Sequence, residues 1–212
     1  MEENLKLKIV SPLGVSAAIP VTYMLAEVAF KLGKKKVLDM GTGTGYIAIY
    51  LAKRGAASVD ATDISDLALA TARENAERNN VTINIYKSDF FEKVTGKFDL
   101  IVWNAPVGDS RGSRPADFIK SVIRGTPILY KISQKLSYRL FLSERLQMDK
   151  KVLREAINFL VPGGVLAMIL IDGEKEGLEL LAGELGYNTE IIETTEFMQH
   201  IPGCIAIFTK NL

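Results

Sequence analysis

Cysteine, histidine and tryptophan each occur once in 212 residues, as Cys204, His200 and Trp103. A lone thiol closes no internal disulfide, so a packed core must hold the chain together and a reducing, cytoplasmic setting is the simplest one. No Cys/His cluster has metal-ligand spacing, and no metal is expected. An excess of one charge is also lacking: 26 basic and 25 acidic side chains leave +1, so the overall field announces neither nucleic acid nor a membrane surface. Apolar runs long enough to span a bilayer, about 20 residues, are absent; the most apolar early stretch, Ser16 to Phe30, is interrupted by Pro20 and Glu27. The start Met1-Glu2-Glu3 lacks the basic flank of a secretory leader. What is present is 48% hydrophobic content in a length suited to one core, so a single domain over residues 1–212 is expected.

From Lys36 onward, short apolar runs alternate with segments of helical period, the pattern of a largely parallel sheet covered on both faces. Strands are predicted at Val37–Met40, Ser58–Ile64, Thr82–Lys87, Phe98–Trp103 and Val165–Ile171. The intervening helices run from about Gly45 to Lys53 and from an N-cap at Ser65 to Asn79-Asn80. Leu146, Val152, Leu153, Ala156, Ile157 and Leu160 mark a further helix, ended by Pro162-Gly163-Gly164; Leu178, Leu181, Ala182 and Leu185 mark another that stops at Gly186. Thr189–Thr194 and Cys204–Lys210 have no room for a helix between them and should pair antiparallel. The fold class is therefore α/β: a doubly wound, Rossmann-like sheet of seven strands, mostly parallel, with an antiparallel C-terminal hairpin strand.

Asp39-Met40-Gly41-Thr42-Gly43-Thr44-Gly45-Tyr46 follows a strand and opens a helix, so its glycines let a ligand approach the backbone closely. A dinucleotide fingerprint, G-x-G-x-x-G, wants glycine where Tyr46 stands. Asp39 would repel a pyrophosphate and suits a cationic group, which favours a sulfonium cofactor. Here the chain resembles the class I methyltransferases, whose first motif is an acidic residue followed by G-x-G-x-G, over about Lys36 to Phe208. The resemblance implies S-adenosyl-L-methionine as cofactor, held by Asp39, Gly41, Thr42, Gly43 and Gly45. It also implies that Asp63 binds the ribose hydroxyls with Ile64 against the adenine, and that Asp89 accepts from the adenine amine with Phe90 beside the ring. Asp60, at a strand position too, is read as an ordinary structural carboxylate.

Asn104-Ala105-Pro106-Val107 follows the fourth strand and resembles the N-P-P-Y motif of methyltransferases directed at glutamine amides or the exocyclic amines of bases. Such nitrogens are planar, with delocalised lone pairs, and are poor nucleophiles. A site helps by accepting their two N–H groups; Asn104 and the Ala105 carbonyl are the candidate acceptors, with Pro106 holding Ala105 extended and Asn104 also bordering the cofactor. The alternative is a mere turn after a strand. Val107 stands where the motif has an aromatic, so stacking on the acceptor would come from Trp103, Tyr130 or Phe197. Within this group the wider resemblance is to the catalytic domain of release-factor glutamine methyltransferases, through Ile19-Pro20-Val21-Thr22-Tyr23-Met24-Leu25, Ser88-Asp89-Phe90-Phe91 and Phe98-Asp99-Leu100-Ile101-Val102. Residues 1–35, a helical N-terminal segment, are too few for that family's separate helical domain.

Residues 107–142 are longer than most strand-to-helix connections and form a candidate acceptor-side insertion. Arg111, Arg114, Lys120, Arg124, Lys131, Lys135 and Arg139 face only Asp109 and Asp117 there, giving +5 and leaving −4 for the rest. Such a patch suits RNA phosphates or an acidic protein surface; equally, Ile128, Ile132, Leu136 and Leu140 would dock a solvated helix on the core. Val107, Arg111, Arg114, Trp103 and Tyr130 are the candidate acceptor-binding residues. His200 is read as a loop residue rather than a base, since an amide sheds its proton after attack, and Cys204 as core. The leading expectation is methyl transfer to a protein glutamine amide. The alternatives are an RNA or DNA exocyclic-amine methyltransferase and a catalytically silent cofactor-binding module, the last disfavoured by Asn104.

Overall fold

A computed structural model describes residues 5–105, 127–171, 173–194 and 203–212, with backbone alone for 127–141. The chain runs α1 (Pro20–Lys31), β1 (Lys36–Met40), α2 (Tyr46–Lys53), β2 (Ser58–Asp63), α3 (Asp66–Arg78), β3 (Asn84–Lys87) and β4 (Phe98–Trp103). It continues through α4 (Pro127–Ala156), β5 (Leu160–Ile171), α5 (Lys175–Glu184), β6 (Tyr187–Thr194) and β7 (Gly203–Lys210). The seven strands lie in the order β3-β2-β1-β4-β5-β7-β6. All neighbours are parallel except those of β7, which is antiparallel to both β5 and β6.

Alternation along the strands divides the core. Val37, Leu100, Val102, Ala167 and Ile169 pack with Val21, Leu25, Ile47 and Leu51 of α1 and α2, while Leu38, Met40, Ile101, Trp103 and Met168 pack with Val152, Leu153, Leu178 and Ala182 of α4 and α5. Burial on both faces is why β1, β4 and β5 read as nearly continuous apolar runs rather than alternating ones. Sequence order reverses between β1 and β4, which opens a crevice at their carboxyl ends. Met40 sits opposite Trp103, so the glycine turn and Asn104 leave the sheet at one level.

Ser65 caps α3 as expected, accepting from the Ala68 N–H at 3.3 Å. The largest differences from the expected boundaries lie in β3, β6 and α4, the last of which already starts at Pro127. β3 starts at Asn84 rather than Thr82, and β6 starts at Tyr187 rather than Thr189. The helix expected to reach Leu160 stops at Ala156; Leu160 opens β5, and Pro162-Gly163-Gly164 lies inside that strand. The pairing with β4 jumps from Phe98–Leu160 to Leu100–Val165 there. Gly163 has φ +69°, and a Cβ on Gly164 would sit 2.8 Å from the Val161 carbonyl, so glycine absorbs the irregularity.

The N-terminal segment is helical only from Pro20. Residues 5–19 form a strap held on α3 by two asparagines. The fully buried Asn75 accepts from Val10 N at 2.8 Å and donates to the carbonyls of Val10 and Thr44, each at 2.9 Å. Asn79 repeats this at Lys8, with 2.9 Å in both directions. Asn75→Ala removes three hydrogen bonds to backbone groups, of which the one to the Thr44 carbonyl is buried, and should cost about 2–3 kcal/mol. Amide exchange should accelerate first at residues 8–10; unchanged exchange would remove the strap from the fold's accounting. Among the described residues no helix is long and apolar enough to cross a membrane.

Candidate functional site

Gly41, Gly43 and Gly45 carry φ of +68°, +54° and +79°, a left-handed path that only glycine follows cheaply. The Trp103 ring lies under Gly41, where a Cβ would meet it at 3.1 Å, and a Cβ on Gly45 would meet that of Ala72 on α3 at 3.1 Å. Thr42 N donates to the Thr62 carbonyl at 2.9 Å and Gly43 N to Asp63 Oδ2 at 3.0 Å, tying the turn to β2.

Asp39 braces this turn from inside. It is 2% exposed, and its Oδ2 accepts from Thr42 Oγ1 at 2.7 Å and Ala48 N at 3.1 Å. The carboxylate expected to face a ligand thus spends these bonds holding the turn to α2. Burial pushes its pKa up to about 7; the Thr42 and Ala48 bonds oppose the rise and the Asp63 charge adds to it. Because the folded value lies above that of the unfolded chain, the folded state binds the extra proton between ordinary carboxylate pH and about 7. Stability therefore falls as pH rises through that window and is flat above it. The ligand-free chain should melt at lower temperature at pH 8 than at pH 5, and Asp39→Asn should reduce the difference. A melting curve unchanged by the substitution would contradict this.

Asp63 ends β2 half-buried, with Oδ1 accepting from Ser65 N at 2.9 Å, and Ile64 beside it is 56% exposed. Asp89 and Phe90 lie half-buried in the turn after β3. Phe90 has φ +46°, a position unusual for a bulky side chain. The buried Ser88 stabilises that turn, donating to the Phe90 carbonyl at 2.8 Å and accepting from Lys93 N at 3.1 Å. The Phe90 ring lies 5.6 Å from the Trp103 ring. The glycine turn, Asp63, Ile64, Asp89 and Phe90 thus line the carboxyl edge of β1, β2 and β3. A cradle with no Cβ, two half-buried carboxylates and an exposed aliphatic side chain fit the amino acid, sugar and base of a nucleoside-type cofactor.

Across the crevice, the Asn104 Nδ2 donates to Thr22 Oγ1 of α1 at 3.2 Å, and that hydroxyl also accepts from Ile19 N at 3.3 Å. Engaging the nitrogen end leaves the carboxamide oxygen for an N–H donor. Ala105 is 1% exposed and its carbonyl accepts from Arg145 Nη1 at 3.3 Å. Trp103, expected as a stacking surface for the acceptor, is 5% exposed in the core, and its indole N–H donates to Asp149 Oδ1 at 2.6 Å. Its place is beneath the glycine turn instead. Pro106, Val107, Arg111, Arg114, Phe197 and His200 lie outside the described residues, as does most of the basic 107–142 segment; Tyr130 falls in α4, where only the backbone is described.

Sequence reasoning passed over Thr22 as a partner of Asn104, and over Arg145 and Asp149. The signal for the latter pair was there: charges at i and i+4 in helical phase with the buried Val152 and Ala156. Cys204 is buried in β7. Among the described residues no group of His, Cys, Asp or Glu is arranged to hold a metal ion.

The methyltransferase small domain model matches residues 19–127. A protein named as an N5-glutamine methyltransferase in Methanocaldococcus jannaschii is 35% identical over 160 residues, covering 74% of this chain and 73% of that protein. The release factor glutamine methyltransferase of Lactococcus lactis is 35% identical over 162 residues, 74% of this chain but 56% of the relative, so the chain spans little more than half of that protein. A ribosomal protein L11 methylase structure from Lactobacillus delbrueckii superposes with a TM-score of 0.65 at 21% identity, covering 94% of this chain and 83% of that one. At that identity the likeness speaks for the fold.

Proposed function

Given that the chain belongs to the methyltransferase small domain family and is an S-adenosylmethionine-dependent methyltransferase, we propose that it methylates the side-chain amide nitrogen of a protein glutamine. The observation that carries this reading is Asn104 at the carboxyl end of β4, its Nδ2 engaged by Thr22 at 3.2 Å and its oxygen left for an N–H group. The names of the two relatives at 35% identity support glutamine as the acceptor.

In this reading Gly41, Thr42, Gly43 and Gly45 hold the amino acid part of the cofactor, with Asp39 keeping the turn in shape. Asp63 takes the ribose hydroxyls, Ile64 and Phe90 flank the adenine, and Asp89 accepts from its amine. The bound cofactor supplies an electrophilic methyl group on a sulfonium. Asn104 Oδ1 and the Ala105 carbonyl accept the two N–H groups of the amide, with Pro106 fixing the backbone between them and the next segment. That fixes the nitrogen's plane, so its weak lone pair points along one line. The methyl carbon would bond to this nitrogen as its bond to sulfur breaks, the sulfur keeping that electron pair as a neutral thioether, and the cationic nitrogen would lose its acidic proton to water without a dedicated base. Val107, Arg111, Arg114 and Tyr130 belong to the acceptor-binding side. The single thiol, buried in β7, suits a cytoplasmic partner protein.

The test is transfer of radiolabelled methyl from S-adenosylmethionine to cell extract, followed by protease or ribonuclease. Label released by protease alone supports a protein acceptor. Label released by ribonuclease alone replaces it with an RNA amine and gives the basic 107–142 segment its phosphate-binding role.

A further inference from the structure

Among the described residues Arg145 is the largest fully buried side chain, at 0% exposure. Its Nη2 donates to the Ile169 carbonyl at 2.7 Å and its Nη1 to the Ala105 carbonyl at 3.3 Å. Its Nε lies 3.5 Å from both Asp149 Oδ2 and Glu174 Oε2. Asp149 in turn accepts from the Trp103 indole, and Glu174 accepts from Ile171 N at 3.0 Å. Burying a cation with two carboxylates is usually no more stabilising than a well-packed apolar cluster. Among the described residues, Arg145 Nε, Asp149 Oδ2 and Glu174 Oε1 all lack a hydrogen-bond partner. A network this costly converges on the residue that follows Asn104.

We infer that Arg145 is a positioning residue of the acceptor site: it fixes the direction of the Ala105 carbonyl, while Asp149 and Glu174 supply the negative charge behind it. This rests on the amide-methylation reading for the identity of the group that meets the carbonyl. A carbonyl oxygen has two lone pairs; Arg145 occupies one and leaves the other for the acceptor N–H. A bare guanidinium would oppose a nitrogen that becomes cationic as its methyl bond forms. Two carboxylates against one cation reverse that sign.

Asp149 is faced by Arg145 from its own helix, by the Trp103 N–H from β4 and by Glu174 from the segment before α5; Lys151, nearby on α4, lies over the Phe90 ring. Burial pushes Asp149 up to about 7, with Glu174 adding to the rise and Arg145 and the Trp103 bond opposing it, and Glu174 is raised too, chiefly by burial. The carboxylate form is the useful one, so kcat should rise with pH through about 7. Asp39 titrates near the same pH, and Asp149→Asn is the variant that separates the two.

The experiment uses Arg145→Lys, Arg145→Met, Asp149→Asn and Glu174→Gln in the intact chain. It reads kcat and KM for the protein fraction that the wild type labels, together with the calorimetric Kd for S-adenosylmethionine. A third readout is the ¹³C carbonyl resonance of Ala105 in alanine-labelled protein, assigned by its loss in Ala105→Gly. The Arg145 variants should lose about tenfold or more in kcat with cofactor Kd within about threefold. Asp149→Asn keeps an acceptor for Trp103 yet should flatten the pH rise, and the Ala105 resonance should follow pH in the wild type and not in this variant. A folded Arg145→Met with unchanged kcat overturns the inference. So does loss of kcat and cofactor affinity together, in step with melting temperature. Should Arg145→Met not fold, Arg145→Lys and Asp149→Asn decide. Should the wild type label no protein, the glutamine reading falls, and the Ala105 resonance decides the network's role by itself: a signal indifferent to both pH and Asp149→Asn ends it.

Discussion

Asn104→Ala should lower methyl transfer by about two to three orders of magnitude while leaving the S-adenosylmethionine Kd within about threefold. The asymmetry follows from where the side chain is anchored. Its nitrogen end is bonded to Thr22 on α1 and not to the glycine turn, so removing it opens no gap beneath the cofactor. The residue is half-buried, and the lost bond should cost stability only about 1 kcal/mol. In the proposed mechanism, what disappears is one of two acceptors that hold the amide nitrogen in plane, an interaction of use only when the methyl group is passing. Stopped-flow or discontinuous radiometric assays with calorimetric titration separate the two quantities. A Kd that collapses with turnover would place Asn104 in the cofactor site instead.

The second large effect is expected at Gly41. Its φ of +68° costs an L-residue about 1–2 kcal/mol, and a Cβ there would press on the Trp103 ring at 3.1 Å. That ring cannot easily give way, because its indole N–H is bonded to Asp149 at 2.6 Å in the core. The two penalties together are about 3 kcal/mol, so Gly41→Ala should weaken S-adenosylmethionine binding about a hundredfold. Gly55 is the control: its φ is +89° but nothing lies within 4 Å of a Cβ. Gly55→Ala should therefore cost only backbone strain and leave cofactor affinity unchanged. Equal losses in the two variants would mean that strain alone, and not the packing of the turn on Trp103, governs the site.

The fold was legible wherever burial on both faces writes itself as an apolar run, as in β1, β4 and β5, and wherever a turn needs a particular residue, as at Ser65 and Gly186. It was less legible where a strand absorbs an irregularity. Leu160 continued the apolar period of α4, and nothing local announced that Pro162-Gly163-Gly164 would be threaded into β5. The edge proposed for the cofactor was legible in its parts, since each strand end announces the glycine or carboxylate that follows it, and the parallel order of β1, β2 and β3 brings those ends together. Asp39 showed its type and position but not its direction, because hydrogen bonding to Thr42 and Ala48 depends on how α2 is set against β1. The tie from Thr22 to Asn104 crosses 82 residues and the tie from Arg145 to Ala105 crosses 40. Contacts of that range are properties of packing, which no local pattern encodes.

The central claim is that the methyl group goes to a planar nitrogen held by Asn104 and Ala105, and it is tested most directly by locating the methyl group on the labelled acceptor. Tandem mass spectrometry of the protease-released, isotopically labelled peptide should place it on the side-chain amide nitrogen of a glutamine. A methyl group on a lysine amine, a carboxylate oxygen or a carbon would contradict the account, because none of those nucleophiles needs two carbonyl acceptors to hold it in plane.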